Sequence, residues 1–214
     1  MRTFKPRLAV VALSCVGVFG AEPAGAIPFN ITAASFSVGT GYGADASETS
    51  SPTLLNVLFS TAAFSAQSFS LNSVGASQNF AFGTVNFAEP SAGGGIDASE
   101  TDNLGVTANL TFTNPVGAVE NVAAVGTATT GSVSDAGTDY TLIWTPFDVA
   151  FGAGGLFRIS LNDLSFSNTG TQSLTATVTL LNLPRIAAVP TPATIAVLGL
   201  GIASLGFIRR KRAA

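Results

Sequence analysis

Residues 104–112 and 174–180 alternate between apolar and polar side chains. In the first stretch Leu104, Val106, Ala108, Leu110 and Phe112 are separated by Gly105, Thr107, Asn109 and Thr111; in the second Leu174, Ala176, Val178 and Leu180 alternate with Thr175, Thr177 and Thr179. A period of two suits a strand with one face in a core and the other in water, and it does not suit a helix, whose stripe returns every three to four residues. The branched Thr and Val side chains add to the preference for strand. A chain written this way must bury one face of each sheet against another layer.

Other segments carry weaker versions of the same pattern: 29–38, 54–60, 67–74, 78–87, 122–129, 139–145 and 156–166. About nine strands are therefore expected. Phe80 and Phe82 share one parity and Val85 and Phe87 the other, so a bulge is expected at Gly83. No convincing helical period interrupts residues 27–188, and clusters such as 91–95 read as turns. Phenylalanines dominate the aromatic set and fall on the strand faces, which makes them core. Tyr140 and Trp144 share a parity and are expected to pack inside rather than to form a sugar-stacking platform. The predicted fold is all-β: an antiparallel β-sandwich or jelly-roll-like domain over residues 27–188, large enough to bury its own core without disulfides.

Charge is distributed unevenly. Of nine Lys and Arg, seven (Arg2, Lys5, Arg7, Arg209, Arg210, Lys211, Arg212) lie at the two ends, while residues 27–188 hold eleven carboxylates against Arg158 and Arg185, nine negative charges net. Such a region repels phosphate, so nucleic acid and anionic membrane surfaces are poor partners for it and divalent cations are plausible ones. The first 26 residues read as a secretory signal peptide: a basic start, an apolar run over 8–19 and a small-residue cleavage site at Ala24-Gly25-Ala26. A retained membrane helix fits less well, because the run is short and ends at Glu22-Pro23. Cys15 does not make a lipoprotein site, since Ala12 stands three residues before it and the apolar run would be cut short.

Once residues 1–26 are removed, no histidine or cysteine remains, so Ser-His-Asp and Cys-His catalysis and imidazole or thiolate zinc sites cannot be built. Gly93-Gly94-Gly95 lacks the Lys and Ser/Thr of a phosphate loop. The chemistry left to an enzyme is a carboxylate pair of the glycosidase kind, and no spacing singles out a pair. One echo stands out. Asp45-Ala46-Ser47-Glu48-Thr49 recurs as Asp97-Ala98-Ser99-Glu100-Thr101, with Asp102 beside the second copy. As a site, Asp45, Glu48, Asp97, Glu100 and Asp102 would offer oxygen ligands to calcium as a cofactor; five residues with two carboxylates do not fill a shell of six to eight oxygens, which favours plain polar loops.

The C-terminus carries a second address. Residues 193–208 run uncharged for sixteen positions and stop at Arg209-Arg210-Lys211-Arg212. As a helix they span about 24 Å at roughly 1.5 Å per residue, and flanking residues with snorkelling arginines close the gap to a bilayer core of about 30 Å. Three glycines, Gly199, Gly201 and Gly206, would weaken a buried helix of a soluble protein. The basic stop places the C-terminus in the cytoplasm and residues 27–188 outside.

Together these residues resemble the PEP-CTERM sorting signal. Pro190-Thr191-Pro192-Ala193 stands where that family has its Pro-Glu-Pro motif, followed by the span and the basic cluster, so residues 189–214 form the tail. The resemblance implies a Gram-negative host, processing by a membrane exosortase, and an association with extracellular polysaccharide. Thr191 replaces the family's Glu, which bears on processing more than on insertion. Residues 80–87 and 110–115 also resemble the choice-of-anchor K domain type, implying a secreted sandwich with no established activity. The expected function is an exported, C-terminally anchored or sorted surface or matrix protein without enzymatic activity. A calcium-dependent carbohydrate-binding or adhesion module is the alternative, and a carboxylate-pair enzyme stands behind both.

Overall fold

The computed structural model describes residues 25–44, 53–91 and 94–185. Eleven strands follow in chain order: β1 (Ile27–Val38), β2 (Val57–Ser60), β3 (Gln67–Leu71), β4 (Ser77–Phe87), β5 (Gly105–Asn114), β6 (Val119–Ala128), β7 (Tyr140–Trp144), β8 (Phe147–Phe151), β9 (Gly155–Leu161), β10 (Leu164–Phe166) and β11 (Gly170–Asn182). A 3-10 turn spans Ala98–Thr101. Among the described residues no helix is long and apolar enough to cross a membrane.

The strands form two antiparallel sheets, one of six in the order β10-β7-β6-β5-β1-β3 and one of five in the order β2-β4-β11-β9-β8. Alternation in the sequence becomes alternation in space: Val106, Ala108, Leu110 and Phe112 of β5 and Leu174, Ala176, Val178 and Leu180 of β11 are buried, and the residues between them lie nearer the surface. The inner faces meet through aromatic rings. Phe29 of β1 stands edge-on to Phe157 of β9 with centroids 5.2 Å apart, Phe36 meets Phe82 at 5.0 Å, and Phe87 stacks on Tyr140 at 5.9 Å. Each such ring contributes about 1.5–3 kcal/mol by leaving water. The architecture is all-β and sandwich-like.

The expected bulge is present. Leu174 pairs with Gly83 and Thr175 with Ala81, so Phe82 is the extra residue, and Phe80, Phe82, Val85 and Phe87 all point inward despite their change of parity. A side chain at position 83 would overlap the Ser60 carbonyl of the neighbouring strand, which is why glycine stands there.

Three boundaries differ from the sequence expectation. Residues 156–166 form two strands in different sheets, with the chain crossing at Asn162-Asp163, where the Asp163 carboxylate accepts the Trp144 amide at 2.8 Å. Residues 147–151 form an edge strand that five residues of pattern did not reveal. Finally, β3 stops at Leu71, and Val74 belongs to a turn. The four edge strands have only three to five residues each, which limits the exposed ladder on which another chain could pair.

Candidate functional site: the carboxylate-bearing pole

Strand direction gives the sandwich two unlike ends. At one end lie the loops 39–44, 88–91 and 94–104, 129–139 and 167–169. They are laced together by backbone bonds: Gly39 to Gly105, Leu55 to Gly41, the exchange between Ile96 and Gly131, and Asp139 to Phe166. This pole holds Glu89, Asp97, Glu100, Asp102, Asp135 and Asp139. Turns 72–76, 115–119 and 152–154 sit at the other end, where β11 leaves and β1 enters, and they contain no charged residue.

Carboxylates at the first pole act as acceptors for backbone amides. Glu89 is 1% exposed, and its Oε2 accepts the Asn56 amide at 2.7 Å while Ala88 donates to the Asn56 carbonyl at 2.9 Å. Its side chain thus continues the β2–β4 ladder one step beyond the backbone. Glu100, fully buried, accepts the Asp97 amide at 2.6 Å, and its own amide donates to the Asp97 carbonyl at 3.1 Å. This closes a capping box on the 3-10 turn, with Asp97 before it and Asp102 after it. The buried Asp139 accepts the Ser134 amide at 3.0 Å, and Asp135 accepts the Gly137 amide at 2.6 Å. Acceptance of an N–H is what lets a carboxylate leave water without a prohibitive cost.

A tyrosine pair sits beneath these loops. The Tyr42 hydroxyl donates to the Leu104 carbonyl at 2.8 Å and, its one proton thus used, accepts from the Tyr140 hydroxyl at 2.8 Å. Burial pushes the Tyr42 hydroxyl up to about 12, and burial with the neighbouring Tyr42 oxygen pushes Tyr140 further in the same direction. Neither can serve as a base near neutrality. Beside Glu89 a shallow groove of about 510 Å3 runs past Pro90 and Ser91 to Thr169 and Gly170.

The proposed calcium residues are placed only in part. Asp97 and Asp102 flank the capped turn, Asp97 exposed at its start, and Glu100 folds back under it. Asp45 and Glu48 lie outside the described residues. Among the described residues no three His, Cys, Asp or Glu side chains gather in a way that could hold a metal ion. Also outside are Ala24, the motif Pro190, Thr191, Pro192 and Ala193, and the stop Arg209, Arg210, Lys211 and Arg212. Ala26 is described, exposed, and directly precedes the first residue of β1. Sequence reasoning did not single out Glu89, although a signal was present: it lies two residues beyond Phe87, on the parity of the inner face.

What this geometry defines is a class: an all-β, sandwich-like antiparallel domain with acidic loops at one end and uncharged turns at the other. Comparison with known proteins takes it no further, since no family model, no curated protein and no solved structure matches the chain.

Proposed function

We propose that this chain is an exported protein, held or sorted by its C-terminal tail, whose domain serves as a non-enzymatic part of the cell surface or extracellular matrix in association with polysaccharide. One observation carries the reading: seven of nine basic residues sit at the chain ends, beside the uncharged runs 8–19 and 193–208, around an acidic middle. That layout is what export and a basic cytoplasmic stop require. On this reading residues 1–26 are the signal, 27–188 a domain of the sandwich or jelly-roll-like kind, and 189–214 the tail that an exosortase-type enzyme processes.

Intact mass and fractionation from the native host test it. A species beginning at Ile27 and ending near Pro190, in the medium or outer layer, is the expected result. The same species extending to Ala214 in the inner membrane leaves an anchor without sorting. A protein starting at Met1 in the soluble cytoplasm removes the reading.

A second reading, a calcium-dependent carbohydrate-binding or adhesion module, draws its support from the acidity of one pole, where Asp97, Asp102 and Asp135 are exposed on loops, although no three carboxylates among the described residues form a metal-holding cluster. Binding would raise the melting temperature in proportion to the logarithm of calcium concentration. Calorimetry with calcium on residues 27–188 that shows neither heat nor a melting shift sinks it.

A further inference from the structure

We infer that the pole of uncharged turns is a lipid-facing surface, seated on the outer leaflet of the membrane for as long as the tail is uncut, so that the carboxylate pole is presented away from that membrane; this rests on the tether proposed above. The chain entry and exit are at the same pole. Ile27 pairs with Leu71, the Gly75 amide donates to Leu180 at 2.8 Å, Asn182 donates to the Gly154 carbonyl at 2.9 Å, and the Arg185 amide donates to Ala153 at 2.9 Å. Turn 115–119 joins them because Asn114 pairs with Asn30, three residues into β1.

The turn tips there are suited to lipid headgroups. Asn72-Ser73-Val74-Gly75-Ala76, Pro115-Val116-Gly117-Ala118-Val119 and Gly152-Ala153-Gly154 are small or apolar, and Val74 and Val119 are 59% and 54% exposed. Arg185, exposed at this end, complements phosphate. Glu120, the nearest carboxylate, is partly buried, and burial holds its pKa up. At the far pole the exposed carboxylates Asp97, Asp102 and Asp135 would meet anionic lipid and be repelled.

Tether length decides against the inverted pose. Seven residues separate Arg185 from Ala193, a reach of roughly 25 Å when extended. The 13-residue β11 that joins the poles is about 40 Å long. A domain turned over would need its tether to span the whole sandwich, which it cannot do.

The test uses the chain from Ile27 to Ala214, which holds no native cysteine, reconstituted into vesicles of zwitterionic and anionic phospholipid doped with a headgroup-spin-labelled lipid. Single cysteines at exposed positions, Val119→Cys, Ala153→Cys and Ala136→Cys, carry a fluorophore, and thermal melts confirm that each variant folds. Quenching several-fold stronger at 119 and 153 than at 136 is expected. Equal quenching at all three, stronger quenching at 136, or none at any site while the protein resists carbonate extraction overturns the seated pose and leaves the tether standing. Extraction of the protein by carbonate overturns both.

Discussion

The two poles of the sandwich are held by different forces. At the uncharged pole Phe29 stacks on Phe69 at 5.3 Å and stands edge-on to Phe157 and Phe151, and Phe112 lies 5.4 Å from Phe157. The acidic pole has its own rings, Tyr140 between Phe87 and Phe166, but its loops are tied by carboxylates accepting backbone amides. The hydrophobic driving force that buries these rings is non-directional and tolerates short, featureless turns. Long loops cannot bury enough apolar surface to hold themselves, so they need directed bonds, and a carboxylate is the strongest acceptor a side chain can offer a backbone amide.

This contrast can be broken at each end. The largest loss should follow Phe157→Ala, which opens a cavity touching Phe29, Phe112 and Phe151; about 3–5 kcal/mol is expected, read as a shift in the urea midpoint.

Next comes alkaline pH, which strikes the acidic pole through the tyrosines. A free tyrosine ionises at 10.0 and buried Tyr42 at about 12, with Tyr140 higher. The tyrosines' contribution to stability is therefore constant below pH 10 and falls as pH rises from 10 through 12, because only the unfolded chain releases those protons. The loss from Tyr42 alone reaches about 3 kcal/mol. Tyr42 and Tyr140 are the only two tyrosines in the chain, so the ultraviolet titration reads this pair directly. An absorbance rise centred at 10 in the folded protein would refute the buried dyad.

Glu89→Leu should cost about 1–3 kcal/mol by leaving the Asn56 amide without its acceptor. Glu89→Gln, which keeps an oxygen, should cost less, and hydrogen exchange at the Asn56 amide should separate the two. The smallest effect is expected at Asp148, which faces Arg158 across β8 and β9 at 2.6 Å and belongs to neither pole. The arginine holds its pKa below the usual carboxylate value; both groups are exposed, so Asp148→Asn should leave the melting temperature nearly unchanged, and less changed still in salt.

Much of the fold was legible because its signal is local. The parity of β5 and β11, the inward set of β4 and the bulge at Gly83 follow from side-chain period alone. Strand β8 was not legible: Phe147-Asp148-Val149-Ala150-Phe151 is too short for its alternation to stand out, and it is a strand because β9 supplies a partner. Nor was the break at Asn162-Asp163, since Leu161 and Leu164 both face the core but belong to different sheets. The repeat of Asp-Ala-Ser-Glu-Thr was visible from the outset, yet its described copy is organised by a capping bond from Glu100 that composition does not disclose.

The sequence by itself determined that the domain is β-rich, that its core is aromatic and aliphatic, that it lacks the side chains of most hydrolytic centres, and where charge lies along the chain. These are properties of single residues and of short-range period. Only the tertiary structure decided where that charge lies in space. Glu89, Asp97, Glu100, Asp102, Asp135 and Asp139 are spread over fifty positions, and they reach one pole because the strands between them run in opposite directions and return the loops to the same end, while Glu120, in the same stretch, is carried to the other.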